Sequence, residues 1–317
     1  MEERSDVKPP VVLALDFGGT KIAAAVAELH GERLAEGTTR TEPSRGARWN
    51  LHQGLSLARR LLEAAGRGDH LVAIGASTFG IPTGQGVLLA PAIPGWEKLV
   101  LTSELSEAFA CDAVAVGTDV KVAAQAEASS GALVGADPGV YLNLGTGLAI
   151  GIVCRGIVVD GANGAAGEIG YSLRQLSDVD LGRGQRDCLE DAVSGGALSL
   201  VAERETGLGL TAAEVFARQP GNEVLVAALD AFVRELAFHT VNLAVALNPT
   251  RIAVGGGMTR SWDRIGPGLR RALDTHVPFP PELVLGAYPH NAPLLGAVAL
   301  ALREAGHAGH QTRGPAT

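Results

Sequence analysis

Val11–Leu15 is a short apolar run closed by Asp16-Phe17-Gly18-Gly19-Thr20-Lys21, after which Ile22–Ala27 is apolar again. That pattern predicts a strand, a glycine turn and a second strand. Leu55–Ala65 carries apolar residues at helical spacing and stops at Gly66, a usual C-terminal signal. Leu71–Ala76 reads as a buried strand, and Val114–Val116 as another that leads through Gly117-Thr118-Asp119 into an Ala-rich helix, Val120–Ser129. The opening pattern then recurs: Val140–Leu144, Gly145-Thr146-Gly147 and Leu148–Val153 repeat strand, small-residue turn and strand. Two copies suggest two lobes of related build. Thr211-Ala212-Ala213-Glu214 has the form of a capping box, and Val224–Leu247 is a long helical pattern stopped by Asn248-Pro249. Arg251–Val254 reads as a strand running into Gly255-Gly256-Gly257, and Leu294–Glu304 is the last periodic element. Strands alternating with helices imply α/β lobes. The expected division is a first lobe over 1–117, with 294–304 packing back on it, a second lobe over 118–293 and a frayed tail over 305–317.

Composition narrows this picture. With 317 residues, 46% of them hydrophobic, the chain can give each of two lobes a core. A formal net charge of −8 argues against a partner that is nucleic acid or an anionic membrane, since both favour a basic surface. Cys111, Cys154 and Cys188 are odd in number and far apart, which points to a reducing interior rather than a disulfide scaffold. The first ten residues are polar and mixed in charge, unlike a signal peptide, and no apolar stretch approaches the ~20 residues that cross a bilayer. The expected setting is cytoplasmic.

Chemistry enters at the turns. Backbone N–H groups beside Gly18 and Gly19 can face a phosphate with no side chain in the way, and a carboxylate at Asp16 can hold Mg²⁺ directly or through water. The other reading is a β-hairpin whose glycines merely supply positive φ. Neither turn matches the Walker or dinucleotide-binding spacing. Asp119 either caps the helix after it or serves as a base. Glu168 in a glycine-rich loop is either a solvated charge or a ligand, and Glu190 either a first-turn acid or a ligand.

Taken together, Leu-Asp-Phe-Gly-Gly-Thr-Lys (15–21), Leu-Gly-Thr-Gly (144–147), Gly-Ala-Asn-Gly-Ala-Ala-Gly-Glu-Ile-Gly (161–170), Cys-Leu-Glu (188–190) and Val-Gly-Gly-Gly (254–257) carry a resemblance. The chain resembles, from about Val11 to Leu302, the ROK family of sugar kinases and sugar-responsive repressors, within the ribonuclease H-like, actin-like ATPase fold shared with hexokinases. The resemblance implies an α/β fold of two lobes with a cleft between them. It also implies ATP as cofactor, a sugar as small-molecule partner and a homodimer. Asp16, Gly18, Gly19, Thr20 and Lys21, with Gly145, Thr146 and Gly147, fall where the family handles phosphates and magnesium, and Gly255, Gly256 and Gly257 where it lies along adenosine. Asp119 falls at the catalytic base, and Thr118, Glu168, Tyr171 and Glu190 fall where the family meets the sugar.

Several positions depart from the family pattern. Most members build a structural zinc site from one His and three Cys; the matching residues here are Tyr171, Leu181, Arg183 and Cys188. One thiolate cannot supply four ligands, so no structural zinc is expected. Arg183 and Arg186 pairing with Asp178, Asp180 or Asp187 is the expected substitute for ordering the loop 172–187, and Cys188 is expected to be a small buried hydrophobe. At the sugar, Thr118 replaces an Asn of the family, Ala92 another Asn and Tyr171 the His. Each lost partner costs about 1–3 kcal/mol where a hydroxyl is left unsatisfied, which opens the way to a modified hexose such as the amino sugar kanosamine. The expected function is an ATP-dependent kinase of the 6-hydroxyl of a hexose or amino-hexose. The alternatives are a sugar-responsive regulator, which would place a winged helix-turn-helix before the first turn where only ten residues precede Val11, and a catalytically silent sugar-binding protein.

Overall fold

The computed structural model describes residues 8–182, 184–218, 222–289 and 291–311. Arg183, most of the polar N-terminal segment and 312–317 of the expected tail lie outside the described residues. The chain divides into two compact units, one formed by the chain up to Ala126 together with the chain from Asn291 onward, the other by Glu127–His290.

The first unit holds β1 (Val11–Phe17), β2 (Lys21–Glu28), β3 (Arg33–Arg40), α1 (Gly46–Ala65), β4 (Leu71–Thr78), the small hairpin β5 (Ile81–Thr83) and β6 (Gly86–Leu88), α2 (Leu101–Phe109), β7 (Val114–Thr118) and the start of α3 (Asp119–Ser130). Its sheet has the order β3-β2-β1-β4-β7, with β1, β4 and β7 parallel. Every residue of β1 is buried, because both faces are covered. Leu13, Leu15 and Phe17 join the core beneath α1, whereas Val12 and Ala14 face the final helix, α8 (Ala292–Gln311). The α8 face of the sheet is lined by alanines and by Gly75, where a Cβ would collide with the Ala297 carbonyl. Small residues there let the helix lie close to the sheet, which accounts for part of the chain's low aromatic content.

The second unit holds β8 (Gly139–Leu144), β9 (Leu148–Cys154), β10 (Ile157–Val158), α4 (Gly195–Thr206), α5 (Ala212–Arg218), α6 (Glu223–Leu247), β11 (Arg251–Gly255), α7 (Trp262–His276) and β12 (Glu282–Leu285). Its sheet, β10-β9-β8-β11-β12, repeats the arrangement of the first: an antiparallel hairpin on one side of a central strand and two parallel strands on the other. The capping box forms before α5, with Thr211 N–H and Glu214 N–H each meeting the other residue's side chain.

Two expectations differ from what is observed, and one strand was not expected. The division falls inside α3 rather than near Gly117, because the early part of α3 packs through Val122 against α8, at Gly296, while Glu127 turns to the second unit. The Glu127 carboxylate is fully buried and accepts the N–H groups of Ala132 (2.7 Å), Ala287 (3.0 Å) and Tyr288 (3.0 Å). The last helix does not fray at Ala305: it continues to Gln311, with Ala305 packed on the core beneath α8. Strand β3 has no counterpart in the hydrophobic pattern, since it is an edge strand of mostly polar residues. No helix among the described residues is long and apolar enough to cross a membrane.

Candidate active site

In the first unit the chemistry gathers at the carboxyl ends of parallel strands, where α/β sheets commonly hold ligands. Asp16 pairs in register with Ser77 of β4, and Ser77 with Gly117 of β7, so Thr118 and Asp119 follow directly beyond the level of Asp16, across one intervening strand. Asp16 is buried and accepts a hydrogen bond from the Ser77 hydroxyl. Burial pushes its carboxyl up to about 6, against the opposing pulls of the Ser77 bond and of Lys21. A hard cation would favour the ionised form of such a group, so Asp16 fits the Mg²⁺ role in chemistry.

The turn beside it is held by its carbonyls. Gly18 N–H donates to the Lys21 carbonyl, while Thr41 donates its hydroxyl to the Gly18 carbonyl (2.7 Å) and its N–H to that of Thr20 (3.1 Å). The N–H groups of Gly19 and Thr20 make no hydrogen bond among the described residues. Neither Gly18 nor Gly19 has positive φ, so the hairpin reading that asked glycine for left-handed backbone does not hold. Gly18 has a packing reason, since a Cβ would stand 2.9 Å from the Lys21 carbonyl oxygen; Gly19 has none, since a Cβ there would meet nothing within 4 Å. An open turn with two unpartnered N–H groups is a cradle that suits a phosphate oxygen.

Asp119 is partly buried at the first turn of α3, and its Oδ1 accepts the Val120 N–H at 2.8 Å. Thr118 beside it is buried. Ala92 is exposed, whereas Trp96 is fully buried, donating through Nε1 to Thr78 Oγ1 (2.9 Å) and packing on Phe17 and Phe79. Trp96 is therefore a core residue of the stretch that contains Ala92.

The second unit brings Gly145–Gly147, Glu168, Tyr171, Glu190 and Gly255–Gly257 onto the carboxyl ends of β8 and β11 and the loops around them. Gly195 and Gly196, at the start of α4, donate to the carbonyls of Gly145 (2.9 Å) and Thr146 (3.3 Å), and Ser194 caps the helix by accepting the Ala197 N–H. The N–H groups of Thr146 and Gly147 make no hydrogen bond among the described residues. Glu190 is exposed and accepts the Leu148 N–H at 2.7 Å. Gly167 exchanges backbone contact with β9, taking the Ile150 N–H at 2.9 Å at a φ of 91°, and thereby seats Glu168 and the 3-10 turn Ile169–Tyr171. Glu168 is half-buried and Tyr171 exposed. Asn143 lies between the two glycine turns of this unit: a Cβ on Gly145 would meet its Nδ2 at 3.3 Å, and one on Gly256 its Oδ1 at 2.8 Å. Ser77, Thr41, Asn143 and Ser194 are the residues that sequence reasoning missed. Only Ser194, just before a helical pattern, carries a local signal.

The loop 172–187 is ordered differently from expectation. Among the described residues of the loop, Arg174 rather than Arg186 makes the side-chain ion pair, to Glu235 of α6 (Nη2–Oε2 2.9 Å), with Asp187 at 3.9 Å; the pairing expected of Arg183 lies outside the described residues. Asp178 is buried and accepts the N–H groups of Arg174 and Gln175, which hold its carboxyl below the usual carboxylate range. Arg186 donates instead to the carbonyls of Tyr171 (3.0 Å) and Ser172 (3.4 Å). Cys188 is only half-buried, and its thiol donates to Asp191 at 3.0 Å; burial and that bond raise its pKa. No cluster of three or more metal-ligating His, Cys, Asp or Glu side chains occurs among the described residues.

Comparison with known proteins places these features in context. A glucokinase of Halalkalibacterium halodurans is 29% identical over 282 residues, covering 83% of this chain and 85% of its own. A kanosamine kinase of Amycolatopsis mediterranei is 30% identical over 302 residues, covering 92% of this chain and 96% of its own. The crystal structure of a ROK family glucokinase from Streptomyces griseus, in complex with glucose and AMPPNP, superposes with a TM-score of 0.74 at 28% identity, covering 92% of this chain and 99% of that one. The likeness extends to the actin-like ATPase fold, and the model of the ROK family matches residues 12–304. With both sheets, their glycine turns and nearly the whole chain accounted for, the chain belongs to the ROK family.

Proposed function

We propose that this chain is an ATP-dependent sugar kinase that phosphorylates the 6-hydroxyl of a hexose or amino-hexose. The observation that carries the reading is that Asp16 near the end of β1 and Asp119 just past the end of β7 lie at the same end of parallel strands, beside a turn whose Gly19 has no reason within the protein to be glycine. Enzymes of this chemistry need positioned charge more than covalent machinery. The unpartnered N–H groups of Gly19 and Thr20, and of Thr146 and Gly147, are assigned to phosphate oxygens, with Lys21 adding positive charge near the first turn. Gly255–Gly257 are assigned to the adenosine, where Gly257 leaves open space. Asp16 would hold Mg²⁺, directly or through water; the ion neutralises charge on the transferring phosphoryl group. Asp119 accepts the proton of the attacking sugar hydroxyl as the new oxygen–phosphorus bond forms and the bond from the γ-phosphorus to the bridging oxygen breaks, releasing ADP.

Thr118, Glu168, Tyr171 and Glu190 are assigned to the sugar. Carboxylates accept several hydroxyl hydrogen bonds each and also favour an ammonium, which together with the departures at Ala92, Thr118 and Tyr171 supports an amino-hexose over glucose. The kanosamine kinase relative, aligned over 92% of the chain, favours a glucose skeleton aminated at C3 among such sugars. A cytoplasmic homodimer is part of the same reading, supported for its compartment by three cysteines that are all free.

A coupled ADP-release assay across hexoses and amino-hexoses, with ATP and polyphosphate as donors, tests it. The expected outcome is sugar-dependent ADP release with the highest kcat/KM on an amino-hexose. No stimulation by any sugar overturns the kinase reading, and a preference for plain glucose overturns the amino-sugar reading.

A further inference from the structure

The segment from Glu190 to Gly196 clasps the turn Gly145–Gly147 at both ends. At one end the N–H groups of Gly195 and Gly196 reach the carbonyls of Gly145 and Thr146, and a Cβ on Gly195 would stand only 2.8 Å from the Gly145 oxygen. At the other, Glu190 Oε2 accepts the N–H of Leu148, the residue that ends the turn, at 2.7 Å. The carboxylate sits so close that a Cβ on Gly147 would collide with it, and one on Gly170 would meet the Glu190 Cβ at 3.2 Å. Leu189 and Val193, both with no exposed surface, fix the segment to the core on either side of Glu190. The second carboxylate oxygen of Glu190 makes no hydrogen bond among the described residues.

We propose that Glu190 is a positioning residue for the phosphate turn, in addition to meeting the sugar. A charged acceptor on the Leu148 N–H is a strong, directional tie. It holds the peptide planes of the turn so that the N–H groups of Thr146 and Gly147 stay presented to the nucleotide. Nucleotide affinity therefore depends on Glu190 when no sugar is present. A sugar hydroxyl donating to the other oxygen of the same carboxylate would be felt at the turn, so that one side chain links the two substrates. This inference rests on the assignment of Gly145–Gly147 to phosphates.

Titration calorimetry of Mg·ADP into the full chain, without sugar, tests it. Glu190→Ala should weaken ADP about tenfold, the scale of one lost charge-assisted hydrogen bond. Glu190→Gln, whose amide oxygen still accepts the Leu148 N–H, should stay within about twofold of wild type. Glu205→Gln, an exposed carboxylate on α4 outside the assigned site, should leave ADP binding unchanged. Should Glu190→Ala fail to fold, Glu190→Met keeps the length of the side chain without the acceptor. Wild-type ADP affinity in Glu190→Ala or Glu190→Met overturns the positioning role. Thr146→Glu separates the underlying assignment: at this exposed position the added carboxylate would repel phosphates, so ADP affinity unmoved by it takes down the phosphate reading and the inference with it. An affinity that Thr146→Glu lowers and Glu190→Ala does not sinks the positioning role alone.

Discussion

The Ser77 hydroxyl donates to the Asp16 carboxylate across the parallel pairing of β1 and β4, where the two residues are register partners and both are buried. Burial nonetheless holds Asp16 at about 6, above the 3.8 of an ordinary Asp. The native state therefore binds more protons than the unfolded chain between those values. The stability contributed by the protonated form is complete below 3.8 and is lost as pH rises through about 6. Asp16→Asn keeps an acceptor for Ser77 without the buried charge. In chelator, it should exceed wild type in stability by about 2–3 kcal/mol near neutral pH and match it below about pH 4. Denaturant unfolding at the two pH values checks this, and equal stability at neutral pH would refute it.

Asp119 stands at the opening of α3, where its Oδ1 accepts the Val120 N–H at 2.8 Å. Asparagine can accept that bond as well, so Asp119→Asn should leave the thermal midpoint within a degree or two while removing the base. On the best sugar, kcat should fall roughly 100- to 10,000-fold, the range of general-base contributions. Undiminished kcat would mean that the proton leaves by another route.

The elements that carry the turns were legible because each is a local pattern. The apolar runs of β1, β8 and β11 end at glycines, and the recurrence of strand, turn and strand suggested two lobes of related build; the two sheets do share one order. What escaped depends on residues far apart in the chain. Ser77 meets Asp16, Thr41 meets Gly18 and Arg174 meets Glu235 only after folding, and no spacing announces such pairs. The reading of the loop 172–187 missed Arg174 for that reason: it sought partners within the loop, while Glu235 lies on α6. Strand β3 escaped for another, since an edge strand with polar residues on its open side has little apolar alternation to read.

The bidentate contact of Arg174 with Glu235 ties the loop to the body of the second unit. Arg174→Ala and Glu235→Ala should each destabilise by about 1 kcal/mol, and a double-mutant cycle should return most of that as coupling, since both side chains are partly buried. Exhaustive dialysis against a chelator should leave the unfolding midpoint unchanged. About one tightly bound zinc per purified chain would contradict this account, because Tyr171, Leu181 and Cys188 cannot coordinate it as a structural site.

Glycine is expensive to order, so a glycine that nothing in the fold requires points outward to a ligand. Gly256 is required: its φ is 91° and a Cβ would collide with the Leu144 carbonyl, so Gly256→Ala should destabilise by several kcal/mol. Gly19 and Gly257 differ, having ordinary φ and open space where a Cβ would go. Gly19→Ala and Gly257→Ala should therefore gain about 0.4–1 kcal/mol of stability from the restricted unfolded chain. If the first faces the phosphates and the second the adenosine, the same substitutions should raise the KM for ATP severalfold while leaving the KM for sugar in place. Unfolding midpoints set beside ATP kinetics decide the matter: variants that are more stable and bind ATP as well as wild type would remove both glycines from the nucleotide site.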